Sequence, residues 1–284
     1  MKRKIDKHLL FSILSLCLFV VISGGITMYQ SKNTEANKGS VQVITPSEQL
    51  YIGLLQYTSH PSLDAIADGI IDTLAENGYE DKENIVLDFQ NAQGDQSNLN
   101  TMANRFVMNE ADMMIAIATP SALAVANVTE DIPIILGAIT DPENVGLVAS
   151  NEAPGGNVTG VSVMTPIANQ LELIRQIQPE AQTIGLLYSA SEDNAGLQGE
   201  LATELAKDYG FETVTRTVSS TNDVSQVVKQ LVSEVDAIWT PNDNIIASAF
   251  PSVVELANEA RIPIYPAVDM MVAQGGLVTL GLNQ

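Results

Sequence analysis

The chain has 284 residues (30.4 kDa), of which 45% are hydrophobic and 17% charged; this composition is typical of folded domains, and the length suffices for two of them. The formal net charge is −21, and because residues 1–40 hold six of the 13 basic and two of the 34 acidic side chains, the remainder carries 7 basic and 32 acidic residues, a net charge of −25. So acidic a body repels phosphate backbones, which argues against nucleic acid as a partner.

The N-terminus predicts export. Four basic residues within positions 1–7 precede an apolar stretch at 9–26, which at about 1.5 Å per residue nearly crosses a hydrocarbon core of about 30 Å. Residues 1–28 are interpreted as a membrane anchor or as a signal peptide with a small-residue cleavage region at 23–25, and residues 29–49 as a polar tether. In both cases the rest of the chain lies outside the cytoplasmic membrane.

The single cysteine lies inside this apolar stretch. Cys17 therefore has no intramolecular disulfide partner, and cysteine usage says nothing about the redox compartment. Leu16 precedes it in place of the small residue that lipidation requires, so we do not interpret Cys17 as a lipid-modified residue.

The first half of the body alternates short apolar runs with helical spacings. The predicted elements are a strand at 51–56, a helix at 63–74 that ends before Asn77 and Gly78, a strand at 85–89, a helix at 99–108, a strand at 113–118, a helix capped by Thr119 with Pro120 in its first turn, and a strand at 132–136. Strands that alternate with helices predict a parallel sheet with helices on both faces.

The second half repeats this pattern. Residues 184–188 resemble 52–56 at an offset of 132, and residues 262–265 resemble 132–135 at an offset of 130; the run at 235–239 likewise resembles an earlier strand. The sequence therefore predicts an α/β protein of two Rossmann-like lobes with parallel sheets. We place lobe 1 at 50–162 and lobe 2 at 163–284, with linkers near 160–166 and 281–283 as hinges.

Polar residues follow the predicted strands. Open parallel sheets bind ligands beyond the carboxyl ends of their strands, so the turns there form the candidate site, in a cleft between the lobes. The candidate ligand-binding residues are Tyr57, Thr58, Ser59, Thr119, Pro120, Ser121, Thr140, Asp141, Ser191, Glu192, Asn194, Trp239, Asn242, Asp243, Asn244 and Asp269.

These residue types suit a small zwitterion. Hydroxyl groups and the positive N-terminal ends of helices bind a carboxylate, which has few basic side chains to meet in these lobes. Asp141, Asp243 and Asp269 are either turn formers or partners of a ligand ammonium group. The rings of Tyr57, Tyr188, Trp239 and Tyr265 are either core residues or stacking surfaces for a ligand ring, with Trp239 the preferred candidate for stacking.

The sequence offers no visible catalytic apparatus. Cys17 lies in the apolar N-terminal stretch, His60 is the only histidine beyond that region, and neither a nucleophile elbow nor a phosphate-binding glycine loop occurs. We therefore expect no enzyme, no cofactor and no metal site.

Several segments together resemble a known family. They are residues 56–64 (QYTSHPSLD), 91–96 (NAQGDQ), 118–121 (ATPS), 140–142 (TDP), 154–162 (PGGNVTGVS) and 191–194 (SEDN), of which the PGGNVTG run is the most specific. The chain from Tyr51 onward is similar to ABC transporter substrate-binding proteins with a type I periplasmic-binding-protein fold, and within them to the tryptophan/tyrosine-type proteins of Gram-positive bacteria.

This resemblance implies a monomer that captures an aromatic amino acid and presents it to an ABC permease. Family members continue beyond the run at 276–280, interpreted as a strand, into a helical segment that returns to the first lobe, so we expect the chain to be truncated at Gln284. The alternative is the ligand-sensing ectodomain of a signalling receptor, which requires a transmembrane helix and an output domain downstream.

Overall fold

The computed structural model describes residues 49–281. The predicted export segment (1–28), nearly all of the tether (29–49) and most of the second predicted hinge (281–283) lie outside the described residues. Within the described range, none of the helices combines the length and the apolar character needed to cross a membrane.

Lobe 1 is built on a five-stranded sheet that is parallel throughout, in the order β2-β1-β3-β4-β5. Central strands of such a sheet are covered on both faces, which explains why β3 is apolar and buried along its whole length. The elements are β1 (Leu50–Gln56), α1 (Pro61–Glu76), β2 (Ile85–Asn91), α2 (Gln96–Met108), β3 (Met113–Ile117), α3 (Thr119–Ala126), β4 (Ile134–Ile139) and β5 (Val158–Ser162).

Lobe 2 repeats this plan with a four-stranded parallel sheet in the order β7-β6-β8-β9. It follows the segment 163–166, the first of the chain's two expected crossings between lobes. The elements are α4 (Ile167–Ile177), β6 (Thr183–Ser189), α5 (Asp193–Ala206), β7 (Glu212–Val218), α6 (Val224–Leu231), β8 (Ala237–Thr240), α7 (Asn244–Ala260), β9 (Ile264–Pro266) and α8 (Asp269–Ala273), with a short 3-10 turn at Lys207–Tyr209.

Equivalent glycines bring a helix close to the first strand of each sheet. A Cβ atom on Gly53 of β1 would lie 2.5 Å from the Phe106 ring of α2, and one on Gly185 of β6 would lie 2.9 Å from the Leu231 side chain of α6. The two glycines stand at the same position of the repeated pattern, so both lobes use the absence of a side chain for the same helix-to-sheet contact.

The structure corrects three local predictions. The strand predicted at 132–136 begins at Ile134, because Pro133 has no N–H to donate to the ladder, and it continues to Ile139. Thr119 is not the cap of α3: Ala118 is the N-cap residue, and Thr119 is the first residue of the helix. The run at 276–280 is not a strand, although its Leu277 N–H donates to Ile264 O at 2.7 Å.

Strand β5 depends on a glycine. Gly160 has a φ of +154°, and a Cβ atom there would lie 2.3 Å from Leu136 O of the neighbouring strand. Gly160 belongs to the sheet, so the predicted linker at 160–166 reduces to the residues that follow Ser162.

We predict that Gly160→Ala lowers the free energy of unfolding by about 3 kcal/mol, because the added methyl group overlaps backbone atoms and the backbone angle is strained for any other residue. Urea denaturation of the full chain measures this. Gly156→Ala is the matched control, because nothing lies within 4 Å of its added Cβ. Equal losses in the two variants would contradict the close contact between β4 and β5.

Candidate ligand-binding site

The carboxyl ends of both sheets face one cleft, and side chains meet across it. His60 Nε2, at the start of α1, lies 3.1 Å from Asn244 Oδ1 at the start of α7. Asn242 Nδ2 donates to Thr140 Oγ1 at 3.1 Å, and Gln96 Nε2 donates to Ser191 O at 3.1 Å. These three hydrogen bonds join lobe 1 to lobe 2 at the strand ends, so the structure is in a closed state.

The closed cleft contains a small pocket with about 10 Å³ of space, roughly enough for one water molecule. Its lining comes from both lobes: His60, Leu63, Ala118, Thr119, Ala138, Thr140, Asn194, Asn242 and Asn244. These residues, all within the described part of the chain, include neither Lys nor Arg. This volume is far below the range of about 300–1,000 Å³ that is usual for small-molecule sites, so the lobes must move apart to admit an aromatic amino acid.

The wall from lobe 1 is the first turn of α3. Thr119 Oγ1 accepts a hydrogen bond from Thr140 N at 3.3 Å, which ties this turn to the end of β4. Ser121 is fully buried and is not among the residues that line the pocket, and its Oγ has no hydrogen-bond partner within residues 49–281. A buried hydroxyl beside the free N–H groups of a helix start is a local arrangement that suits an anionic oxygen.

The wall from lobe 2 is a cluster of amides. Asn194 Nδ2 donates to Asn242 O at 2.9 Å, and Gln198 Oε1 accepts from Asn242 N at 3.3 Å. The other end of the Asn194 amide, Oδ1, is buried and has no partner among the described residues. This oxygen is an acceptor, so it suits a ligand N–H group.

Two buried carboxylates lie at the N-terminus of α7. Glu192 Oε1 accepts from the N–H groups of Asn244 (2.9 Å) and Ile245 (3.0 Å), and Asp243, the N-cap residue, accepts from Ile246 N at 2.8 Å. Burial raises the pKa of Asp243 to about 6; burial, followed by the Asp243 charge, raises the pKa of Glu192 well above its usual value. The ion pairs among the described residues include neither carboxylate.

The structure corrects the hypothesis of aromatic stacking. Trp239 is fully buried in the core of lobe 2, where its Nε1 donates to Gln170 Oε1 at 2.9 Å, and it does not line the pocket. Tyr57 is also fully buried, with its hydroxyl donating to Gly94 O at 3.2 Å. Tyr188 and Tyr265 pack with the lobe 2 core, so none of the four rings faces the pocket.

Other predicted residues have local roles beside the pocket. Asp141 accepts from Asn144 Nδ2 at 2.6 Å, and Asp269 accepts from Met270 N at 2.8 Å, so both carboxylates are engaged by neighbours in sequence. Asp243 is a helix cap. Ser59 Oγ donates to Asp64, Thr58 O accepts from Gln56, Ser191 Oγ pairs with Ser189 Oγ, and Pro120 is buried in the first turn of α3.

Sequence reasoning missed four of the pocket's residues. Leu63, Ala118 and Ala138 are apolar, so a search for polar strand ends passes over them. Ala118 (φ 74°) and Ala138 (φ 60°) have left-handed backbone conformations that the sequence does not signal, since glycine or asparagine is usual there. His60 is not among the candidate binding residues of the sequence analysis, although it follows a predicted strand end and precedes Pro61 at a helix start.

A family comparison assigns this architecture. The family model described as "ABC transporter substrate binding protein" matches residues 51–284. The chain belongs to this family. Membership implies a location outside the cytoplasmic membrane and an ABC permease as partner. Within the described residues, no group of His, Cys, Asp and Glu side chains is placed to hold a metal ion.

Individual relatives agree with the assignment. A tyrosine-binding protein of Clostridioides difficile is 40% identical over 272 residues, covering 95% of this chain and 79% of the relative. The structure of an ABC domain from Streptococcus pneumoniae in complex with L-Trp is 47% identical, with a TM-score of 0.77 over 82% of this chain and 78% of that one. The overall fold is that of a type I periplasmic binding protein, as in a leucine-binding protein of Thermotoga maritima (15% identity, TM-score 0.59, covering 80% of this chain and 67% of that one).

Two relatives solved in different ligand states superpose on this structure to different degrees. The structure of a ligand-free, open substrate-binding protein from Clostridium difficile is 40% identical but gives a TM-score of only 0.55, over 80% of this chain and 77% of that one. The L-Trp complex superposes much better at similar identity. The better superposition on the ligand complex agrees with the hydrogen bonds that join the lobes of the present substrate-binding protein.

The buried Asp243 predicts a pH dependence. Its pKa of about 6, against an ordinary 3.8, means that the folded state binds more protons than the unfolded state between these values. The free energy of unfolding therefore contains a contribution that is fully present below about pH 4 and is lost as the pH rises through about 6. We expect Asp243→Asn to flatten this decline in urea denaturation series at pH 4.5–7. The exposed Asp208→Asn is the control, and a wild-type slope in the Asp243 variant would contradict the assignment.

Proposed function

We propose that this protein captures tryptophan or tyrosine outside the cell membrane and delivers it to an ABC permease. The observation that carries the proposal is the similarity of the closed, two-lobed structure to the pneumococcal L-Trp complex, at 47% identity. The relative named as tyrosine-binding, 40% identical over 95% of this chain, supports the same ligand class.

The ligand carboxylate binds at the first turn of α3 in this proposal. Ser121 Oγ is buried without a partner, and Pro120 has no N–H, which leaves the N–H groups of Thr119 and Ser121 as donors in that turn. Hydroxyl and backbone donors replace the arginine that many carboxylate sites use, in keeping with a pocket lined by neither Lys nor Arg.

The ligand ammonium group binds on the side of lobe 2. Asn194 Oδ1 is a buried acceptor without a partner, and the Glu192 and Asp243 carboxylates supply negative potential nearby. Leu63, Ala118 and Ala138 then form the apolar wall for the aromatic ring. Two alanines in that wall leave room that larger side chains would fill.

The protein binds its ligand in this proposal without converting it to a product. The lobes, at 50–162 and 163–284, rotate about the segment after Ser162 and about a second crossing near 281–283, and closure traps the ligand. Residues 1–28 act as an anchor or as a cleaved export signal. No catalytic role is assigned to any residue of the pocket.

A thermal-shift panel of the twenty amino acids on the full chain in detergent tests the ligand class. At a concentration 100 times the dissociation constant, a ligand adds about 2.7 kcal/mol of stability, which corresponds to a rise in melting temperature of about 5 °C. We expect this rise with L-tryptophan or L-tyrosine. A rise with another amino acid, and none with these two, would overturn the proposed ligand.

Ser121→Ala tests the carboxylate position. Loss of one hydroxyl donor to a charged oxygen costs about 1.5–3 kcal/mol, so the dissociation constant measured by calorimetry rises at least about tenfold. The control is Ser225→Ala on the exposed surface of α6, which leaves affinity unchanged. Unchanged affinity in the Ser121 variant would place the carboxylate elsewhere.

A further inference from the structure

A chain of hydrogen bonds crosses the cleft at one edge of the pocket. His60 of lobe 1 lies 3.1 Å from Asn244 Oδ1 of lobe 2, and Asn244 Nδ2 donates to Glu192 Oε2 at 2.5 Å. Asn244 and Glu192 are almost completely buried, at 5% and 1% exposure. In this contact between the lobes, the buried Glu192 carboxylate accepts a hydrogen bond from Asn244, the side chain that reaches His60.

The chain has a defined direction. Both Glu192 oxygens accept hydrogen bonds at the start of α7, and Oε2 accepts from Asn244 Nδ2, so the NH₂ group of the Asn244 amide faces Glu192 and Oδ1 faces lobe 1. Since Oδ1 also only accepts, His60 Nε2 must carry the proton and donate. Burial lowers the pKa of His60, which favours the neutral imidazole with a single N–H.

Both ends of the chain are attached to the start of a helix. The other oxygen of Glu192 accepts from the N–H groups of Asn244 and Ile245 in the first turn of α7, which fixes the carboxylate plane. His60 is the N-cap residue of α1, held by Pro61 after it and by its own carbonyl, which accepts from Asp64 N at 3.0 Å. The two lobes therefore present matched donor and acceptor groups only when closed.

We propose that Glu192 is a positioning residue that orients Asn244 to receive His60, and that this chain is a latch that sets the rate of lobe opening and ligand release. The inference rests on the proposed function for the ligand that is released. It gives Glu192 and His60 a role in the retention of a bound ligand, in addition to the negative potential that Glu192 supplies and to the place of His60 in the pocket lining.

The test uses the full chain with Glu192→Gln and His60→Ala, singly and together. In Glu192→Gln the side chain can present an NH₂ group to Asn244, which turns the Asn244 amide and offers His60 a donor in place of an acceptor. Dissociation of radiolabelled L-tryptophan, or of L-tyrosine, is followed after a chase with excess unlabelled ligand. Glu204→Gln, an exposed change of the same charge on α5, is the control.

We expect each single variant to raise the dissociation rate about tenfold and the double variant to raise it no further, because both break one chain. Rates equal to those of the Glu204 control would overturn the latch. Fold-changes that multiply in the double variant would also overturn it, since they would show two independent contacts.

Spin labels separate this inference from the proposed function. Cysteines introduced at the exposed positions Glu76 of lobe 1 and Lys229 of lobe 2, with Cys17→Ser, report the closed fraction by electron resonance without a ligand. We expect His60→Ala and Glu192→Gln to lower the closed fraction at least threefold. If the wild type binds neither tryptophan nor tyrosine, the proposed function is wrong, but the closed fraction reported by the spin labels still tests the latch. An unchanged closed fraction in the two variants would overturn the latch.

Discussion

Both sheets are parallel throughout, and this constraint determines where the polar groups of the molecule gather. In a parallel sheet all strands end at one edge, and each helix that follows begins there with unpaired N–H groups. Two such edges meet across the cleft, so the starts of α1, α3 and α7 converge on one small volume. The pocket is a consequence of topology, and the side chains at these starts decide what it binds.

The acidic character of the cleft follows from the same geometry. Glu192 and Asp243 are buried without a basic partner among the described residues, which is costly unless the charges are solvated by donors. The first turn of α7 supplies those donors, and one of them, Asn244, also reaches lobe 1. Stabilisation of a buried charge and closure of the lobes are thereby connected through a single amide.

The sequence predicted the architecture well because its signals are local and repeated. Apolar runs separated by about 130 residues identified two similar parallel lobes, and the polar strand ends led to Thr119, Thr140, Asn194, Asn242 and Asn244, which do line the pocket. Prediction from the sequence failed for residues whose role depends on the direction in which the side chain points. Trp239 lies one residue before the end of β8, but alternation along the strand points its ring into the core. The left-handed alanines of the pocket wall have no signature in sequence.

Hydrogen–deuterium exchange of the full chain, with and without L-tryptophan or L-tyrosine, tests most directly whether the ligand is held between the lobes. We predict added protection at the strand ends of both lobes, in peptides that contain residues 118–122 and 191–195, with little change along the outer edge strands β2 and β7. Protection confined to one lobe, or located away from the strand ends, would contradict capture in the interlobe cleft.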